Sequence, residues 1–236
     1  MRRFSEGNEG VIVVLTTYEE FTRRIDQYGL MPLSANKAGL PSLTSLTQED
    51  AWHTNEVTDP WLWRKRIADE KKAAYGKVFD KKPGFVSLAC YPYFLALRRG
   101  EATVADLYTA GKLSHMAKAI YELFRTQGEI AAHDIPPLLN AGRDKRTAVE
   151  NALIELQMRL FLTTSGAVRK TNARGEEHGW PSVVYAKVEN WVQPEIMRQA
   201  QAISPHEARI ELLAKVREAA PDANEKQVLK LIVVCE

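Results

Sequence analysis

The sequence predicts an α+β, mainly helical fold. It has a winged helix-turn-helix core, an α-rich domain with a small hairpin before it and helices after it. Three observations predict this. Residues 114–192 read helix, short helix, basic helix, strand, long polar loop, strand, which is the layout of a winged helix-turn-helix. Helix-start signals ahead of apolar stripes recur before that segment. Two or three more helical patterns follow it. The expected domains are therefore 1–113, 114–192 and 193–236.

Taken in chain order, TTYEEFTRRIDQYGL opens with Thr17 and Glu20 at the capping-box spacing. Tyr18, Phe21, Ile25 and Tyr28 form its apolar stripe, and Gly29 is the stop. Residues 31–58 are rich in Pro, Ser, Thr and Gly and read as ordered loop or short turns. Asp59-Pro60 starts a second helix, because Pro suits the first helical position after an Asp cap. Its inner face is read as Trp63, Ile67 and Ala74, with Arg64, Lys65, Arg66, Lys71 and Lys72 around the remainder. GKVFDKKPGFVSL reads as a strand pair turning at Lys-Lys-Pro-Gly. CYPYFLALRRG is a helix stopped at Gly100, and residues 99–113 bridge to the next unit. After Trp191, Ser204-Pro205 marks a clear helix start, and the final IVVCE is a strand or a frayed tail.

Within 114–192, SHMAKAIYELFRTQG, HDIPPLLNAG and RDKRTAVENALIELQMRLF are the three helices, and FLTTSG and PSVVYAKVENW the two strands. Val149, Leu153, Leu156 and Leu160 recur at four, three and four residues, one buried stripe. Thr147 with Glu150 repeats the capping-box spacing and places the start of the third helix near Thr147. Arg143, Lys145 and Arg146 then lie at its entry, where free N–H groups already favour phosphate, and Asn151 lies on its exposed face. The polar loop adds Arg169, Lys170 and Arg174. From Arg143 to Arg174 the basic residues, these six with Arg159, outnumber Asp144, Glu150 and Glu155. The formal net charge of the whole chain is only +2, so the electrostatic argument for a phosphate surface rests on this local excess.

Composition bounds the rest. At 236 residues the chain fits one large or two small domains. Cys90 and Cys235 match no metal or redox spacing, which makes a reduced, cytoplasmic protein the expectation. MRRF is a basic start, but Val11–Leu15 is too short for a signal-peptide core, and no apolar run reaches the roughly 20 residues of a membrane span. His53, His115, His133, His178 and His206 are scattered without metal-ligand spacing. No phosphate loop, nucleophile elbow or His-Glu-x-x-His occurs, so no cofactor or metal is expected. Trp52, Trp61 and Trp63 cluster beside basic side chains, and core packing is favoured over base stacking for them.

The run VYAKVENWVQPE after the wing resembles the AlkZ/YcaQ-type winged-helix DNA glycosylases through Tyr185, Glu189, Trp191 and Val192, with Gln193-Pro194 where that family places Pro directly. DPWLWRKRIADEKKAAYGKVF, GFVS, YP, HGW and VENWV more closely resemble a group of AlkZ-related bacterial proteins. The resemblance implies tandem winged helices around a concave DNA face. It also implies, for the enzymes, a Gln-x-Asp or Gln-x-Gln motif that positions water at the sugar, with polar groups offsetting charge as the glycosidic bond breaks. The counterpart here is Gln48-Glu49-Asp50, with Gln48 and Asp50 the candidate catalytic pair. The apolar run that flanks the enzymes' motif is missing, and a helix cap from Thr47 accounts for the same spacing.

The leading expectation is a non-catalytic protein that binds double-stranded DNA. Lys145, Arg146, Thr147 and Asn151 would face the groove, and Arg169, Lys170 and Arg174 would grip phosphate. A glycosylase excising alkylated bases and a protein-interaction module are the alternatives.

Overall fold

Two small antiparallel sheets organise the helices of this mixed, mainly helical α/β fold. The computed structural model describes residues 14–172 and 174–233, so the MRRF start, most of the Val11–Leu15 run and the end of the IVVCE tail lie outside the described residues. Helix α1 (Tyr18–Tyr28) begins with the expected reciprocal cap between Thr17 and Glu20 and stops at Gly29, φ 75°. Strand β1 (Leu30–Pro32) follows, then a loop holding one 3-10 turn at Glu49–Ala51, then α2 (Pro60–Asp69). Strands β2 (Ala73–Phe79) and β3 (Lys82–Ser87) complete a sheet of order β1-β3-β2.

That sheet is covered on both faces, and the two-residue period of a strand divides its side chains between two cores. Met31, Ala73, Tyr75 and Phe85 point to α1 and α2, among Phe21, Ile25, Trp63 and Ile67. Leu30, Ala74, Val78 and Val86 point to the opposite side. That side is closed by α3 (Tyr91–Arg98), α9 (Pro194–Ala202), α10 (Pro205–Ala219) and α11 (Glu225–Ile232). Each fully buried ring or branched chain contributes about 1.5–3 kcal/mol. At Gly84 the strand leaves no room for a side chain: a Cβ there would stand 2.4 Å from the Phe79 ring and 2.9 Å from the Met31 carbonyl.

The third core lies in the middle of the chain. Helices α4 (Val104–Thr109) and α5 (His115–Leu123), strand β4 (Glu129–Ala131), the short α6 (Ile135–Leu138) and α7 (Arg146–Met158) come in that order. The hairpin β5 (Leu162–Thr171) and β6 (Glu177–Lys187) and the one-turn α8 (Val188–Trp191) follow. The second sheet has the order β4-β6-β5. Ile120, Phe124, Ile135, Val149, Leu153 and Leu156 are buried together beneath it.

Several readings are corrected. Helix α2 ends at Asp69, so Ala74, Lys71 and Lys72 are not on it. Lys71 adopts φ 53°, its N–H reaches Ala68 O, and that of Lys72 reaches Ile67 O, a Schellman stop made without glycine. Helix α7 stops in the same way at Leu160, φ 57°, with Phe161 N–H on Leu156 O. Leu160 therefore leaves the helical stripe and enters the core around α3 and Trp191. The β2–β3 turn is the two residues Asp80 and Lys81, φ 49° and 65°, flanked by the pair Phe79 and Lys82. These angles fit a type I′ turn, and Pro83 and Gly84 lie inside the strand. Helix α7 starts at Arg146 after a 3-10 turn at Arg143–Lys145. Thr147 caps nothing there, and Glu150 pairs with Arg146 at 3.0 Å instead. The bridging segment contains α4, and the expected long polar loop is mostly strand.

Candidate nucleic-acid interface

The β5–β6 hairpin carries the exposed cations outward from a buried root. Leu162, Thr163, Thr164 and Ser165 are buried, and residues 167–171 are exposed. Lys170 pairs with His178 and Thr171 with Glu177. At the tip, the Asn172 carboxamide oxygen accepts from the N–H groups of Arg174 and Glu176, which locks the turn. Arg174 is thereby held at the extremity. Helix α2 packs along β5, and Lys65 Nζ donates to Pro181 O at 3.4 Å.

Arg169 and Lys170 are adjacent on one strand and so face opposite sides of the hairpin. Arg169 lies toward α2. Burial first, then the charges of Arg64 and Arg169, push the Lys65 ammonium below its ordinary value. Beside this side of the hairpin the Arg64 guanidinium lies 3.2 Å over the Trp61 ring. Lys170 faces the other way, into a groove of about 470 Å³ whose far wall is α7 with Arg146, Glu150 and Gln157. Of the eight cation and polar candidates, Arg146 and Lys170 are the two brought together there.

The outer ridge of α7 goes elsewhere. Asn151, Ile154 and Met158 border a second depression of about 580 Å³ together with Asp80, Lys81 and Lys230. The β2–β3 hairpin lies across the C-terminal half of the helix. Gln157, which is buried, accepts from Lys77 N–H at 3.0 Å and donates to Leu153 O, and Lys81 N–H meets the Met158 sulfur at 3.2 Å. Arg143, Lys145 and Thr147 stay exposed at the helix entry, and Asn151 is separated from Arg146 by the width of the helix. Lys65, Lys77, His133 and Trp180 are the site-bordering residues that periodicity did not single out. The legible signal was Trp180, an aromatic in an otherwise polar run.

Gln48 and Asp50 stand exposed at the 3-10 turn, and neither borders the groove. Thr47 is no cap: its hydroxyl donates to Leu43 O and accepts the Trp52 indole N–H. Among the described residues no cluster of three or more His, Cys, Asp or Glu is placed to hold a metal ion. Among them, too, no helix is long and apolar enough to cross a membrane. Trp63 is buried against Phe21, as core packing predicts, whereas Trp52 and Trp61 are partly exposed.

A family model described as AlkZ related matches residues 15–233. The chain belongs to the AlkZ-related family. Its fold is similar to that of the Streptomyces sahachiroi DNA glycosylase AlkZ, at 11% identity and a TM-score of 0.41. That match covers 88% of this chain and 58% of the other, so the AlkZ-related chain spans little more than half of that protein's length. No curated protein sequence matches it.

In this AlkZ-related chain the residues behind the VENWV resemblance form a joint. Trp191 is buried and its indole N–H donates to Ala68 O at 3.2 Å, tying α8 to the end of α2. Glu189 accepts from Tyr121 Oη at 2.6 Å and from Arg99 Nη1 at 3.1 Å. Burial alone would raise the Glu189 carboxyl, but the Tyr121 hydrogen bond and the Arg99 charge outweigh it and hold the group below the usual carboxylate range. A depressed native pKa contributes stability that is complete above the unfolded value of about 4.3 and is lost as pH falls through the folded one. Glu189→Gln is therefore expected to cost about 1–2 kcal/mol at pH 7. Its deficit should shrink toward zero as acid protonates the parent, which paired urea titrations at pH 7 and pH 3.5 measure.

Proposed function

We propose that the segment 114–192 of this AlkZ-related chain is a winged helix that binds double-stranded DNA without catalysing a reaction on it. In this reading α5, α6 and α7 are the helical unit, β5 and β6 the wing, and the domains follow the divisions 1–113, 114–192 and 193–236. What supports it most is the distribution of uncompensated cations. Among the described residues Lys77, Arg143, Lys145, Lys170 and Arg174 have no carboxylate within ion-pair distance. Lys77 and Lys170 line one open groove, while Arg143 and Lys145 stand exposed at the entry of α7 and Arg174 at the hairpin tip. Such a set suits the phosphate backbone of a duplex, with contacts that position more than they specify.

The placement of the β2–β3 hairpin refines the docking. Only the entry of α7, with Arg143, Lys145, Arg146 and Thr147, is free to approach a groove, because the hairpin lies over the half beyond Ile154. The wing then supplies as much of the contact as the helix. Gln48 and Asp50 stand exposed and do not border the groove between the hairpin and α7, which supports the non-catalytic reading.

Fluorescence anisotropy of a labelled duplex, titrated at several salt concentrations, tests the function. Binding is expected to weaken by roughly 0.9 log unit per decade of salt for each phosphate contact. No binding at low salt would leave the segment a protein-interaction or structural module. Release of free base from alkylated DNA, lost in Gln48→Ala and Asp50→Ala, would restore the glycosylase alternative.

A further inference from the structure

One side chain in the hairpin is out of place for a solvated strand. Trp180, on β6, is 85% exposed. Among the described residues it makes no ring contact with another aromatic, and its indole N–H donates to no acceptor. It sits where the strand pairing is irregular, between the pairs Val168–Ser182 and Lys170–His178. A single exposed apolar side chain is ordinary on a surface, but a tryptophan ring bordering a groove offers a π face to a planar partner.

The surroundings define what covers it. Trp180 borders the 470 Å³ groove between the hairpin and α7, with Lys77, Lys170, Arg146, His133 and Tyr185. Arg146 is balanced by Glu150. Among the described residues Lys77 and Lys170 have no acidic partner, so the groove carries an uncompensated positive charge beside the Trp180 ring. His133, in the groove wall, has its Nε2 3.5 Å from Asp134 Oδ1, while its buried Nδ1 has no hydrogen-bond partner among the described residues. A planar ring attached to an anion matches this set. The volume suits one such group, within the roughly 300–1,000 Å³ of small-ligand sites.

We propose that Trp180 stacks on a nucleobase displaced from the duplex, with Lys170 and Lys77 meeting the phosphates on either side of it. This rests on the DNA-binding reading above and adds a preference to it: duplexes with an unstacked base bind more tightly than fully paired ones. Stacking on an aromatic ring is available to every base, so the preference is for the unpaired state and not for a sequence.

The test compares three proteins, the parent, Trp180→Phe and Trp180→Ala, on a fully paired duplex and on the same duplex with one bulged nucleotide. The parent should bind the bulged duplex about tenfold more tightly, the scale of one base stacked on an aromatic side chain. Trp180→Ala should erase that preference, and Trp180→Phe should retain most of it. Tryptophan emission should be quenched by the bulged duplex in the parent and not in Trp180→Phe. Equal affinity of the parent for both duplexes, or a preference that survives in Trp180→Ala, overturns the inference while leaving the DNA-binding reading intact. Parent self-association in sedimentation that disappears in Trp180→Ala would assign the ring to a second copy of the chain and overturn it as well. Failure of the parent on the paired duplex at low salt removes the DNA-binding reading and this inference with it.

Discussion

Neutralising Arg169, Lys170 and Arg174 together is expected to lower affinity for any duplex by about two orders of magnitude at 0.1 M salt. Each phosphate contact contributes roughly 0.9 log unit at that concentration through released counterions. Among the described residues Lys170 and Arg174 have no acidic partner and should contribute fully, whereas Arg169 shares its charge with Glu177 at 4.0 Å and should contribute less. The slope of log affinity against log salt should accordingly flatten by about two. The loss should be the same on unrelated sequences, because contacts to backbone phosphate, the role proposed for these side chains, carry no sequence information. The three side chains are exposed beyond the buried root of the hairpin, so stability should stay within about 0.5 kcal/mol of the parent. Unchanged affinity and slope would show that the hairpin lies off the DNA.

Arg98 carries the largest expected effect on stability. It is buried at the end of α3, and it is aimed at two helix termini. Its Nε donates to Ile232 O at 2.8 Å, Nη1 to Met158 O at 3.0 Å, and Nη2 to Leu231 O. The last carbonyls of α7 and α11 have no donor within their own helices, and a cation there also meets the negative ends of both helix dipoles. The guanidinium lies 4.1 Å over the Phe94 ring. Burial pushes it down to about 9, so it remains charged at neutral pH. Arg98→Met keeps the length and removes the charge, but it strands three carbonyls that water reaches poorly. The expected cost is about 2–4 kcal/mol, a fall in melting temperature of roughly 5–15 °C for a chain of this size. Arg98→Lys should recover only part of it, because one ammonium cannot span carbonyls from two helices. A melting temperature unchanged in Arg98→Met would show that the helix ends are satisfied without it.

The helix starts were legible because their chemistry is local. Thr17 with Glu20, Asp59 before Pro60, and Ser204 before Pro205 each satisfy orphan N–H groups from within a few residues. The stops were less legible. Glycine at position 29 announced one, but Lys71 and Leu160 take the left-handed conformation without being glycine. They do so because the chain must turn at once into β2 and β5, a demand that arises outside the local window. Strands were misjudged for a related reason. Buried on both faces, β2 shows no polar alternation, and the outer part of β5–β6, exposed on both, shows none either.

The candidate site divides along the same line. Which residues are cationic, and that they gather between 143 and 174, is a property of the sequence alone. Which of them share a surface is not. Adjacent Arg169 and Lys170 part because a strand sends neighbours to opposite faces, and Asn151 parts from Arg146 because the helix turns it toward the β2–β3 hairpin. Local hydrogen bonding and hydrophobic period therefore determined the helix starts and their apolar stripes, and the residue identities themselves carried the family resemblance and the basic character of this region. Long-range packing decided that Gln157 and Met158 meet the hairpin of residues 73–87, and that Arg98 closes two helices remote in the chain. It also decided that Trp180 stands free beside a positively charged groove. Such contacts join residues far apart in sequence, and no local pattern encodes them.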